Sequence, residues 1–147
     1  MRKLIAILAV GAIAALVFTA LSSARPRATT MLGAKLTAAQ EIPKQAVADA
    51  DAHGTFTGTL VGTKLTWKLT FAKLTGPATA AHIHLGAMGK AGNVVVPLCG
   101  PCKSPMTGTA TISASLLKQI EKHLTYVNVH TGKNPAGEIR GQVTATG

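Results

Sequence analysis

Aromatic residues are scarce in this 147-residue chain, which has one Trp, one Tyr and three Phe. Acidic residues are few as well, five against 15 Lys and Arg, and there are only two cysteines. The lack of acid leaves a formal charge of +10, which taken alone fits a nucleic-acid partner. The lack of aromatics argues against that partner, because bases need stacking platforms. The lysines also stand singly (Lys64, Lys68, Lys73, Lys90, Lys118, Lys122) rather than in a patch. No Ser-His-Asp arrangement, phosphate loop or acid pair of catalytic spacing stands out, and neither does an internal repeat.

What the chain does have begins at its N-terminus. Met1-Arg2-Lys3 precedes an almost unbroken apolar run from Leu4 to Leu21, and Ser22-Ser23-Ala24 then offers small residues at the −3 and −1 positions of a cleavage site. This is the three-part pattern of a secretory signal peptide over residues 1–24, with a membrane anchor as the rival reading. Either way the working domain is exported. Loss of Arg2 and Lys3 leaves 13 basic residues against five acidic ones, about +8. Outside the cell this charge reads first as a simple solubility charge; the partners it suits are an anionic envelope polymer, a lipid surface or another protein, not nucleic acid.

Cys99-Gly100-Pro101-Cys102 follows a strand-like run and enters a Lys-Ser-Pro loop, with no helix to lower a thiol pKa. In an oxidising compartment the pair reads as a local disulfide, and a redox-active pair or metal ligands are the alternatives.

Residues 25–31 read as a polar linker and residues 32–147 as one domain. From Leu32 the pattern is β. Thr55–Val61 alternates Thr with Phe56, Gly58 and Leu60; Leu65–Phe71 alternates apolar with polar residues, and Gly62-Thr63 between them suits a hairpin. Further strands are expected over Ala80–Leu85, Asn93–Leu98, Thr107–Ile112, Tyr126–Thr131 and Glu138–Ala145. One segment differs: Leu116, Leu117, Ile120 and Leu124 have helical spacing behind Ser113 or Ser115 as N-cap. The expected fold is an all-β, antiparallel Greek-key sandwich with one short crossover helix, preceded by the signal helix.

Strand parity picks out a candidate site. If Ala81, Ile83 and Leu85 face the core, His82 and His84 face away from it; Val127 and Val129 likewise place Tyr126, Asn128 and His130 together. Asn134-Pro135-Ala136-Gly137 has the residues of a type I turn, so the last two strands should pair and bring His130 to the face of Glu138 and Arg140. Two imidazoles at i and i+2, roughly 4–7 Å apart, can share one ion. His82 and His84 join this face only if their strand lies in the same sheet or curls toward it; His82, His84 and His130 then form a candidate copper or zinc site, with Asn128, Glu138 and Arg140 around it. The alternative for the same residues is a hydrogen-bonded face carrying an ion pair of Glu138 with Arg140 or His130. His53, beside Asp49 and Asp51, reads as a solvated loop residue, and His123 as a helix-end cation.

Three segments resemble the CHRD domain, a module repeated in chordin and found singly in many secreted bacterial proteins. They are Leu36–Pro43, Leu74–His84, and Tyr126–Thr131 continuing through Asn134–Gln142. The resemblance covers about residues 32–145 and implies a binding or structural module rather than a defined activity. More loosely, the chain is similar to Cu/Zn superoxide dismutase, in which a His-x-His strand and a later histidine bind copper. His82, His84 and His130 match that order, and Arg140 is a candidate counterpart of the active-site arginine, with the role of attracting an anion. This likeness implies a copper-dependent redox enzyme as the alternative function. Between His84 and His130 the chain offers only His123, so the dismutase's bridging histidine and zinc loop have no counterpart.

Overall fold

Among the described residues, the alternation of apolar and polar side chains becomes nine antiparallel strands, with one α-helix. The computed structural model describes residues 28–45 and 48–147, so the signal segment expected over 1–24 lies outside the described residues. The strands are β1 (Thr29–Thr37), β2 (His53–Val61), β3 (Lys64–Ala72), β4 (Ala78–Leu85), β5 (Val94–Cys99), β6 (Met106–Thr111), β7 (Thr125–Thr131), β8 (Ile139–Gln142) and β9 (Thr144–Thr146). A single 3₁₀ turn, Ala38–Gln40, follows β1, and α1 (Ala114–Glu121) links β6 to β7. β1 starts inside the stretch expected to be linker, because Thr29, Thr30 and Met31 find ladder partners in Val61, Leu60 and Thr59.

Hydrogen bonding runs through one sheet in the order β5-β4-β7-β8-β1-β2-β3-β6, with β9 also on β1. The β8–β1 seam is one ladder pair, Thr37 with Arg140. Either side of it, the two halves of the sheet enclose a common core that includes Leu36, Phe56, Leu65, Trp67, Ile83, Val127, Val129 and Ile139. The architecture is thus all-β and antiparallel, a nearly closed barrel or sandwich with one helix. The run expected as a single last strand changes partner midway. β8 pairs with β7, Val143 N–H donates to Thr125 O at 2.9 Å, and β9 pairs with β1.

Local chemistry supports each junction. Gly62 takes φ 61° in the two-residue turn between β2 and β3, a conformation that costs glycine nothing. Ser113 caps α1 by accepting from Leu116 N–H at 3.1 Å, and Ile120 on that helix is fully buried. Cys99 and Cys102 form a disulfide, and Cys102 N–H donates to Ala78 O at 3.1 Å, which ties this loop to the start of β4.

Parity makes a direct prediction about stability. Phe56 is fully buried, and Phe56→Ala is expected to lower the unfolding free energy by about 3–5 kcal/mol. Its neighbour Thr57 lies on the exposed face, and Thr57→Ala is expected to stay within about 1 kcal/mol. Urea unfolding of the two variants checks the pair.

Candidate metal centre

The β4–β7 ladder sets His82 opposite Asn128, His84 opposite Tyr126, and Ala80 opposite His130. The β7–β8 ladder sets Asn128 opposite Arg140. Ala81, Ile83, Val127, Val129 and Ile139 are at most 1% exposed and occupy the core side. The alternate set must then gather on the outer side of β4, β7 and β8. Three loops fold over that side, so its polar residues are buried too: Arg140 is 2% exposed, His84 8% and His130 9%.

The three histidines converge. His82 Nδ1 lies 3.1 Å from His130 Nε2, and one ring nitrogen from each of the three residues falls within 4.8 Å of the others. Two of the rings are oriented by backbone carbonyls. His84 Nδ1 is 3.0 Å from Gly92 O, and His130 Nδ1 is 3.0 Å from Pro135 O. A carbonyl can only accept, so each Nδ1 carries the proton and each Nε2 presents a lone pair. His84 Nε2 is buried with no hydrogen-bond partner. Burial lowers the pKa of all three imidazoles, and repulsion by neighbouring cationic groups adds to the effect. With its proton on Nδ1, His130 accepts at Nε2 from His82 Nδ1–H, a proton that a bound ion would displace; neutral rings, two of them with fixed tautomers, suit a borderline metal ion. Tetrahedral nitrogen ligands at about 2.0–2.1 Å from an ion stand about 3.3 Å apart; the His82–His130 pair is near that spacing, and the full set is looser, within 4.8 Å.

Behind the histidines lies a second layer. The Tyr126 ring stacks on His84 with centroids 4.9 Å apart, and the Arg140 guanidinium lies 3.5 Å from the centre of the Tyr126 ring. Tyr126 Oη also accepts from Gly92 N–H, at 3.1 Å, on the residue whose carbonyl orients His84. Arg140 Nη2 donates to Ala87 O and Lys90 O, at 3.2 and 2.8 Å. The guanidinium therefore clamps the 86–93 loop, whereas its match to the dismutase arginine implied a group that draws in an anion.

Glu138 does not join the histidines. Its carboxylate accepts from Thr75 N–H, Thr75 Oγ1, Thr131 Oγ1 and Asn134 Nδ2 at 2.6–2.9 Å, and it is fully buried. The expected ion pair with Arg140 or His130 is replaced by this ring of donors. Alternation ends at Ile139, and Glu138 sits in a bend after Gly137, whose φ is 131°. A side chain on Gly137 would also strike the Asn128 amide. Burial alone would raise the Glu138 pKa, but the donors outweigh it and hold the carboxyl below its usual range. His53 and His123 stand apart. His53 Nδ1 is 2.8 Å from Asp51 O on the surface, and His123 O accepts from Gln142 Nε2 at 2.8 Å.

Glu41 was not expected here. It follows the 3₁₀ turn, is 1% exposed, and accepts from Asn128 Nδ2 at 3.3 Å. Burial pushes its carboxyl up to about 7, against the lowering effect of the Arg140 charge and the Asn128 bond. Glu41 Oε1 and Asn128 Oδ1 are both buried without partners, and a protonated carboxyl supplies a donor that two acceptor oxygens lack. Its only sequence signal was its place in Gln40-Glu41-Ile42-Pro43, within a segment that resembles CHRD domains.

The comparisons bear on this geometry. The CHRD-domain family matches residues 32–143, a span containing all three histidines, Glu41 and Glu138. The chain belongs to the CHRD family. No curated protein and no solved structure matches it. For this CHRD domain the likeness to the dismutase therefore rests on the order of three histidines alone.

Two outcomes follow from the buried carboxyls. A raised acid pKa means that the folded state holds the proton more tightly, so the Glu41 contribution is present below about pH 4.5 and is lost as pH rises through about 7. The stability difference between wild type and Glu41→Gln is expected to shift by up to roughly 3 kcal/mol between pH 5 and 8, against the wild type at the higher pH. Guanidinium unfolding at both values measures it. Glu138→Ala strands four donors and is expected to cost about 3 kcal/mol or more at pH 7, read from the same type of curve.

Proposed function

We propose that this CHRD domain is an exported binding module that holds one copper or zinc ion through His84 Nε2, His130 Nε2 and His82 Nδ1. The observation that carries the reading is the pair of Nδ1 contacts to Gly92 O and Pro135 O, which leave the Nε2 lone pairs of His84, buried and unpartnered, and of His130, in contact with His82, beside a third imidazole. A hydrogen-bonded polar face has no need for His84 Nε2 to stay unpartnered in the interior. His82 is half-buried and the most exposed of the three ligands. Export is supported by the Cys99–Cys102 disulfide and by the basic, then apolar, N-terminus.

A copper-dependent redox enzyme is the second reading, favoured by the partial exposure of His82. It uses the same ligands and lacks a free arginine beside them, because Arg140 is bound to loop carbonyls.

Titration of the purified protein with Zn(II) and Cu(II) separates these readings. One equivalent is expected to bind at micromolar metal or tighter. His82→Ala is expected to weaken binding by about 100-fold or more while leaving the fold intact. Absence of stoichiometric uptake sinks both readings; uptake without superoxide turnover leaves the binding module and removes the enzyme.

A further inference from the structure

The outer face of the other half-sheet, β1-β2-β3-β6, has a regularity that burial does not require. Its side chains are mainly threonines and lysines in register. Lys35 is opposite Thr55, which is opposite Thr70. The next row runs Thr144, Gly33, Thr57, Lys68 and Thr107 across five strands. Beyond it come Met31, Thr59, Thr66 and Thr109, and then Thr29, Val61, Lys64 and Thr111. Neighbouring hydroxyls therefore recur at the strand spacing of about 4.8 Å.

The charge on this face is of one sign. Lys35, Lys64 and Lys68 are exposed on it, and among the described residues these rows carry no Asp or Glu. The described carboxylates lie elsewhere: Glu41 and Glu138 are buried behind the other half-sheet, Asp49 and Asp51 precede β2, and Glu121 is on α1. The face is also not flat. A trough of about 380 Å³ runs beside Lys35, Thr55, Thr57 and Thr144, over Gly33. A second, of about 330 Å³, lies against Lys68 and Thr70 and shares Thr55 and Thr57 with the first. Gly33 leaves the floor open, since a Cβ there would meet only Thr144 Oγ1, at 3.8 Å.

We propose that this face docks an acidic polysaccharide, with Lys35, Lys64 and Lys68 pairing with its anionic groups and the threonine rows hydrogen-bonding its hydroxyls along the trough. Threonine hydroxyls both donate and accept, as sugar hydroxyls do. No aromatic ring is exposed in these rows for sugar stacking, so recognition is led by charge and favours an acidic glycan over a neutral one. A lipid surface fits less well. The exposed apolar side chains on the face, Met31 and Val61, sit toward one end, away from the trough. This surface does not depend on the histidine site.

The test uses polygalacturonate and heparin as probes, dextran as a neutral control and phosphatidylglycerol vesicles as the lipid control. The purified protein is expected to bind both polyanions and to leave dextran and vesicles largely unbound. The combined variant Lys35→Gln, Lys64→Gln, Lys68→Gln is expected to bind about tenfold or more weakly, with a shallower salt dependence. Lys118→Gln with Lys122→Gln, on α1, is expected to change nothing. Gly33→Phe fills the trough at constant charge and is expected to weaken binding while the unfolding curve is retained. The proposal is overturned if the α1 pair costs as much as the sheet lysines, if Gly33→Phe folds and binds like wild type, or if dextran or vesicles bind as well as the polyanions.

Discussion

The ladder between β4 and β7 decides where every candidate ligand points. Ala81, Ile83, Val127 and Val129 are driven into the core together, and a one-residue slip would exchange them for His82, His84, Asn128 and His130. Moving four polar side chains from their partners on the outer side into the apolar core is costly enough to exclude that slip. Hydrophobic burial on one face thereby fixes a polar constellation on the other. The same constraint acts in β2 and β3, where Phe56, Leu65 and Leu69 go inward and set the threonine rows outside.

Parity selects a face, but loops give the histidines their chemistry. The 86–93 loop brings Gly92 O to His84, and it is held by the Tyr126 hydroxyl and the Arg140 guanidinium. The turn after β7 brings Pro135 O to His130, and Glu138 holds that turn by accepting from Thr131, Asn134 and Thr75. A fully buried carboxylate with no counter-cation is stable there because four donors surround it. Glu138 thus acts on the site at a distance, through the turn that orients a ring it does not touch.

Much of this was legible in the sequence. The period-two pattern located the strands, and helical spacing located α1; parity grouped His82 with His84 and His130 with Asn128, and the β4–β7 pairing that joins the two sets came from the structure. The destination of Glu138 was not legible, because alternation does not extend through a bend that begins at Gly137. Glu41 was hidden for a related reason: no local pattern tells a 3₁₀ turn which side chain it will bury against a strand 87 residues away. The partner change at Val143 was equally silent, since β8 and β9 read as one alternating run while pairing with different neighbours. Periodicity reports which residues are inside; it does not report which loops close over the outside.

The central claim is that three neutral imidazoles present specified nitrogens to one ion. Nitrogen-15 NMR of the histidine rings, recorded before and after one equivalent of Zn(II), tests it most directly. In the metal-free protein His84 and His130 should show protonated Nδ1 and bare Nε2. On zinc addition those two Nε2 resonances and the His82 Nδ1 resonance should move together, with saturation at one equivalent, while the His53 and His123 rings stay in place. Zinc-induced shifts confined to His53 or His123, or an Nε2–H tautomer at His84, would contradict the account.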